Sequence, residues 1–328
     1  MGTLNNAMFN RRQALALGLG ATAMVGLAAC SGGNASSSAA SSSASSGGGG
    51  EEAKSGSSLD TAAFDKLVAS GPKAEDATIA QNKWASKVKS NGKLRVGAVD
   101  TSALFCQLDE KDGRHRGFDA GLFQLLTNYI LGDPTAYERT LVQSSTRESV
   151  LQNDTVDAVF ATYTITDERK KVISFAGPYY EGHQGILVMS NNSDIASVDD
   201  LAGKIVGVQD GSQQSKEEFT TKYLSKSEVQ TLGTDGELRR ALEQGRINAY
   251  VTDCALLKSD MVENPNKYKL AAEFGDPDLL GIGLPLDSDG VAFVNDWLKK
   301  IEDEGLWTDL YKLFFGEEGA TNPPAIQK

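Results

Sequence analysis

From about residue 93 onward the apolar positions fall into two alternating rhythms. "KLRVGAV" (Lys93–Val99) alternates at period two after an Asn-Gly turn and predicts a strand. "GFDAGLFQLLTNYIL" then repeats Phe118, Leu122, Leu125, Leu126, Tyr129 and Ile130 at helical spacing. "AYERTLV" predicts a strand, "RESVLQN" a short helix and "VDAVFATY" a buried, nearly all-apolar strand. A second cycle starts near Gly185. It runs "GILVMS" (strand), "SVDDLAG" (helix), "KIVGVQDGS" (strand and Gly turn), "QSKEEFTTKYL" (helix) and "VQTL" (strand). "DGELRRALEQGRI" follows as helix and "NAYVTD" as a buried strand. The chain continues through "LGIGLPLD" and closes in an amphipathic helical region over "VAFVNDWLKKIEDEGLWTDLYKLFFG". Strand and helix in alternation predict an α/β fold with largely parallel pairing.

The two cycles share a form, "LQNDTVDAVFATYT" and "LEQGRINAYVTD": a short helix, then an apolar strand that ends in polar residues. Ligands of open α/β sheets sit at the carboxyl ends of strands. Two such ends, one per lobe, predict a cleft. Residues 59–91 read as a polar helical extension whose main apolar points are Leu59, Phe64, Leu67 and Trp84.

The N-terminus follows different rules. Arg11-Arg12 precede the apolar "ALALGLGATAMVGLAA", a charged region followed by a stretch too short to span comfortably as a permanent helix. "LAAC" (Leu27–Cys30) resembles a bacterial lipobox, which implies cleavage before Cys30 and acylation of its thiol. "RRQALAL" also resembles a twin-arginine signal, so two export routes stay open. From Ser31 to Ser58 the chain is mostly Ser, Ala, Gly and Asn with no large apolar residue, and it cannot bury a core. As a random coil it would reach roughly 25–32 Å. The expected plan is a signal over 1–29, lipidated Cys30 and tether over 30–58, and the extension over 59–91. A first lobe would take 92–187 with 285–328, and a second 188–284. This predicts a monomer held at the outer face of the cytoplasmic membrane.

Composition narrows the chemistry. With 328 residues and a net charge of −12, the chain is large enough for two lobes and lacks the positive charge a nucleic-acid partner would need. Beyond Cys30 the cysteines are Cys106 and Cys254, and the histidines are His115 and His183. None has metal-type spacing, so no metal is expected, and the cysteines read as free thiols. His115, in "EKDGRHRGF", reads as a solvated loop residue. There is no Ser/His/Asp set, Cys/His pair or phosphate loop, which predicts no cofactor and no enzyme.

The stretch "ATYTITDERKKVISFAGPYY" (Ala161–Tyr180) carries three threonines and Arg169 straight after an apolar run. Thr166 reads as the cap of a helix with acidic first-turn residues, and Arg169 falls in its opening turn. Hydroxyls, helix-start N–H groups and a guanidinium together suit an anion. A capped surface helix with a solvated arginine fits the same residues.

The ordered set "GFDAGL", "RESVLQNDTVDAVFATYTITDERKKVISFAGPYY", "GKIVGVQDGS", "INAYVTD" and "LWTDLYKLFFG" resembles the family 3 extracellular solute-binding proteins, from about residue 92 to 316. These serve ABC importers of polar amino acids. The resemblance implies two α/β lobes in the periplasmic-binding-protein-like fold, each a mixed sheet flanked by helices, joined by two hinge strands. It further implies that Arg169 and Thr164 hold the ligand's α-carboxylate, that Thr162 and Asp253 meet its ammonium, and that Gly211, Ser212 and Gln213 reach the carboxylate from the far lobe. Ser144 and Arg147 would address the ligand side chain, as in proteins for acidic amino acids. That ranks glutamate first, then aspartate or glutamine. Phe105 falls near the family's aromatic lid, although "ALFCQL" departs from its pattern and core packing fits equally. The implied partners are a free amino acid and the transmembrane subunits of an ABC permease. A small-carboxylate dehydratase or lyase on the same scaffold, or an amino acid sensor subunit that does not transport, are the alternatives.

Overall fold

The computed structural model describes residues 59–317, 319–320 and 323–326. The export signal, Cys30 and the tether lie outside them. The chain opens with α1 (Thr61–Ala69), α2 (Asp76–Ala80) and α3 (Lys83–Asn91). Asp60 and Asn82 cap the first and third by accepting the Ala63 and Ala85 N–H groups. Phe64, Val68, Ile79, Trp84 and Val88 then enter the core of the first lobe rather than a core of their own.

That lobe continues with β1 (Leu94–Ala98), followed by a small antiparallel sheet of β2 (Thr101–Ser102), β3 (Cys106–Asp109) and β4 (Arg114–Arg116). Next comes α4 (Phe118–Leu131), buried on nearly every side. It can start there because Gly117, at φ 137°, passes the Phe105 carbonyl so closely that a Cβ would lie 2.1 Å from its oxygen. The lobe proceeds through β5 (Tyr137–Leu141), α5 (Arg147–Gln152), β6 (Ala158–Val159) and α6 (Asp167–Lys170). β6 is much shorter than "VDAVFATY" predicts, since the chain leaves the sheet before Thr162, which stands in the left-handed region at φ 44°.

β7 (Ser174–Met189) crosses into the second lobe. There follow β8 (Ile205–Gln209), α7 (Glu217–Tyr223), β9 (Glu228–Leu232), α8 (Asp235–Glu243), β10 (Ala249–Asp253) and α9 (Cys254–Glu263). β11 (Tyr268–Leu284) then recrosses, and α10 (Gly290–Asp303) and α11 (Leu306–Phe315) finish on the first lobe. Their Trp297, Leu298, Trp307 and Leu310 share a core with α4. Phe118 meets Phe105, Tyr179, Tyr180, Trp307 and Phe315 there. Burying one such ring contributes about 1.5–3 kcal/mol.

The sheet order is β5-β1-β6-β11-β7-β10-β8-β9. Each wing is parallel, as the sequence rhythm predicts, but β7 and β11 run antiparallel between them. Ile282–Leu284 of β11 pair with Ser174–Ala176 on the first-lobe side, whereas Gln184–Leu187 of β7 already pair with β10. The second lobe has its own apolar clusters, around Val206 and Val251 on one face and Leu238 and Tyr250 on the other. No helix among the described residues is long and apolar enough to cross a membrane.

Candidate functional site

The first half of the site is the segment that leaves β6. The Thr162 N–H donates to Asp119 Oδ2 at 2.9 Å, and the Tyr179 hydroxyl donates to Asp119 Oδ1 at 2.7 Å. A left-handed threonine costs on the order of 1–2 kcal/mol, and a buried carboxylate accepting that N–H offsets it. Asp119 has no exposed surface. Burial pushes its carboxyl up to about 6, against the pull of the two donors. Beyond Thr162 the segment is tied to β11: the Gly281 N–H donates to the Tyr163 carbonyl, and the Ile165 N–H donates to that of Leu279. Thr166 caps α6, its Oγ1 accepting the Arg169 N–H at 3.3 Å.

Arg169 is thereby fixed, with 4% of its surface exposed. Its Nη1 donates to the Thr164 carbonyl at 2.7 Å, and its Nε lies 3.3 Å from Glu148 Oε1. Nη2 donates to the Gly211 carbonyl of the second lobe at 3.1 Å. The guanidinium also lies 4.9 Å from the centroid of the Tyr163 ring. Arg147 shares that ring, at 4.3 Å. Its Nη1 donates to the carbonyls of Ala161 (3.0 Å) and Thr162 (3.4 Å), and its Nε to that of Ser144 (3.3 Å). Burial, with Arg169 beside it, lowers the Arg147 guanidinium to about 9.

The second half comes from the turn after β8 and the end of β10. Gly211 stands at φ 70°. The Ser212 hydroxyl is buried with no hydrogen-bond partner among the described residues, while its N–H is taken by the Gln209 carbonyl. Asp253 closes β10 and caps α9: its Oδ1 accepts the Ala255 N–H at 2.8 Å, and its buried Oδ2 has no hydrogen-bond partner among the described residues. Burial pushes this carboxyl up to about 7, and Asp278 of β11 adds to the shift. Gln213 donates through Nε2 to Asp278 Oδ1 at 2.8 Å, and Ser144 Oγ to Gln209 Oε1 at 3.3 Å.

Thus Arg169, Thr164, Thr162, Arg147 and Ser144 belong to the first lobe and Gly211, Ser212, Gln213 and Asp253 to the second, and the side chains that reach across are Arg169, to Gly211, and Ser144, to Gln209. Phe105 stands apart. It is fully buried among Phe118, Tyr180 and Phe315, so the role the structure gives it is packing. His115 differs from expectation too: it is buried, its Nε2 3.1 Å from Asp100 Oδ1 and its Nδ1 3.1 Å from the Tyr137 hydroxyl oxygen. Asp119, Tyr163 and Asp278 escaped the sequence reading. Asp119 sits inside the quoted "GFDAGL", where an acid among large apolar residues was the available signal. A separate surface cavity of about 690 Å³, lined by Gln107, Arg239, Glu263 and Tyr268 among others, includes none of these residues. Cys106 and Cys254 are free and buried.

Two α/β lobes joined by a pair of crossing strands, with polar strand ends gathered between them, define a two-lobed receptor for a small solute. The chain belongs to the bacterial extracellular solute-binding proteins, family 3, whose model matches residues 94–317. It is 32% identical over 236 residues to the ABC transporter glutamine-binding protein GlnH of Bacillus subtilis, covering 71% of this chain and 85% of that one. A glutamine-binding protein of Geobacillus stearothermophilus is 33% identical over 232 residues, covering 70% and 86%. Among solved structures, the solute receptor for L-cysteine of Neisseria gonorrhoeae superposes with a TM-score of 0.66 at 25% identity, over 74% of this chain and 98% of that one.

Proposed function

We propose that this protein captures a free polar L-amino acid between its lobes and hands it to the transmembrane subunits of an ABC importer. One observation carries the reading: a guanidinium fixed within the first lobe, Arg169, and a buried carboxylate oxygen of the second lobe with no hydrogen-bond partner among the described residues, Asp253 Oδ2. Those are the two groups a buried zwitterion requires, since leaving either charge unmatched costs several kcal/mol. Arg169 and the Thr164 hydroxyl take the α-carboxylate. Asp253 takes the ammonium, with the Thr162 carbonyl beside it. Ser212, whose hydroxyl likewise has no partner among the described residues, and the main chain of Gly211 and Gln213 close over the carboxylate from the second lobe. Binding that is complete only with both lobes engaged favours the closed form, which the permease would read.

Within this class Arg147 favours glutamate, then aspartate or glutamine, if its guanidinium reaches the side chain. Its prongs are engaged with three main-chain carbonyls and its face with Tyr163. Asp278 and Asp253 also leave the second-lobe side acidic. Glutamine therefore ranks ahead of glutamate, in line with the ligand named for both relatives above. We further propose a lipid anchor at Cys30; Cys30→Ala should release the protein from membranes into the soluble fraction.

Calorimetric titration with a panel of amino acids tests the reading. Heat from glutamine or glutamate that disappears in Arg169→Ala supports it. Binding confined to aliphatic amino acids, or unchanged in Arg169→Ala, overturns it.

A further inference from the structure

One carboxylate that the sequence pattern did not mark is Asp278, on the strand that crosses between the lobes. It is 7% exposed and accepts two side-chain amides. Gln213 Nε2 donates to its Oδ1 at 2.8 Å, and Gln184 Nε2, from the other crossing strand, donates to its Oδ2. With its NH2 spent on Asp278, Gln184 offers its Oε1 to the amide of Gln214, at 2.5 Å. A carboxylate only accepts, so it dictates which end of each neighbouring amide faces it. Turning Gln184 over would set oxygen against oxygen at Asp278 and NH2 against NH2 at Gln214. Turning Gln213 over would set its oxygen against Asp278 Oδ1. One acid therefore orients the whole chain of amides.

The consequence for the cleft lies in what Gln213 has left. Its NH2 is held back by Asp278, and no protein donor meets its Oε1 among the described residues. Gln213 is two residues from Gly211, whose carbonyl touches Arg169, so it belongs to the second-lobe wall of the site. With its NH2 engaged, the group Gln213 has left for a ligand is its carbonyl oxygen, an acceptor that matches a ligand NH2 and opposes a ligand carboxylate.

We infer that Asp278 is a specificity-determining positioning residue: by locking Gln213 with its carbonyl outward, it selects an amino acid whose side chain donates hydrogen bonds, an amide, over its carboxylate analogue. This rests on the amino acid reading above and deepens it. Asp278 does not touch the ligand; Gln213 does. A group that merely stabilised the closed form would weaken every ligand equally, whereas an orienting group changes the ratio between two ligands of the same shape.

The test measures dissociation constants of the purified protein for L-glutamine and L-glutamate. The wild type should prefer glutamine. In Asp278→Asn the partner can donate as well as accept, Gln213 is free to turn, and the preference should fall at least tenfold, chiefly through tighter glutamate binding. Gln213→Met removes the polar end while keeping the length and should erase the preference even if Asp278→Asn fails to fold. A wild type that prefers glutamate, or a preference unchanged in either variant, overturns the inference while the capture of amino acids stands. A wild type that binds no amino acid overturns both.

Discussion

Arg169 Nη2 donates to the Gly211 carbonyl at 3.1 Å, so a side chain rooted in the first lobe holds a main-chain atom of the second. Its other nitrogens face the Thr164 carbonyl and Glu148 Oε1, and its plane faces Tyr163. The contacts within its own lobe aim the fork before a ligand arrives, which spares the ordering of a long side chain on binding. Arg169→Lys preserves the charge but replaces a planar fork with a single point. Losing two charge-assisted hydrogen bonds, about 1.5–3 kcal/mol each, should weaken binding of every amino acid by ~100-fold or more. Calorimetry on the variant checks this, and affinity within a few fold of wild type would remove Arg169 from the carboxylate site.

As the proposed ammonium partner, Asp253 should make binding depend on pH with a defined sign. Burial raises its carboxyl to about 7, and a ligand ammonium would pair with the ionised form, so binding should expel the proton. Affinity should rise with pH through about 7, weakening by roughly tenfold from pH 8 to pH 6. Stability runs the other way. A carboxyl whose folded value lies above its unfolded one holds extra protons in the fold, so its contribution falls as pH rises from about 4 to 7. Asp253→Asn should flatten both dependences and bind weakly throughout. Titrations across that range decide it, and a flat wild-type profile would count against Asp253 as the ammonium partner.

The parts of this molecule that could be read from its sequence are those whose periods are long. α4, α8, β8 and β10 all stand where their apolar spacing puts them. The antiparallel crossing of β7 and β11 was less visible, because "AAEFGDPDLL" reads as a turn: its Gly275-Asp276-Pro277-Asp278 run is accommodated as an irregularity in register between Phe274 and Asp278. α9 was missed for a different reason. "CALLKSDMVE" has one lobe on each side of it, so its apolar residues do not form a single stripe. The places of Arg169 and Asp253 in the fold were legible because one lies in the first turn of a capped helix and the other ends a recognisable strand. Arg147 was legible as a charge but not as a donor to main-chain carbonyls, since sequence does not say which of its possible partners a long side chain will reach. Asp119 and Asp278 act through atoms far away in the chain, Thr162 and Tyr179 for one and Gln184 and Gln213 for the other.

Asp119 should matter to the fold and to the site together. Asp119→Ala leaves the half-buried Thr162 N–H and the buried Tyr179 hydroxyl without their acceptor. Each unpaired group costs roughly 1–3 kcal/mol, which predicts a loss of about 2–6 kcal/mol in denaturant titration. Asp119→Asn keeps one acceptor but turns an NH2 toward the second donor, so the loss should be smaller and binding should still suffer. Unchanged stability in Asp119→Ala would show that Thr162 holds its left-handed conformation by other means.

Gly211 couples backbone geometry to lobe closure. It stands at φ 70°, where a side chain costs about 1 kcal/mol, but the larger obstacle comes from the opposite lobe. A Cβ at this position would lie 2.4 Å from Ser145 Cα and 2.5 Å from Ser145 N, both main-chain atoms that cannot swing aside. Gly211→Ala should therefore fold but fail to close. At saturating ligand its radius of gyration by X-ray scattering should stay at the open value while the wild type contracts, and affinity should drop accordingly. Gly236→Ala is the matched control: it lies in α8, a Cβ there meets nothing within 4 Å, and both stability and closure should be kept. Full contraction of Gly211→Ala with ligand would mean that the lobes can meet without Gly211 against Ser145, and that closure is set elsewhere in the cleft.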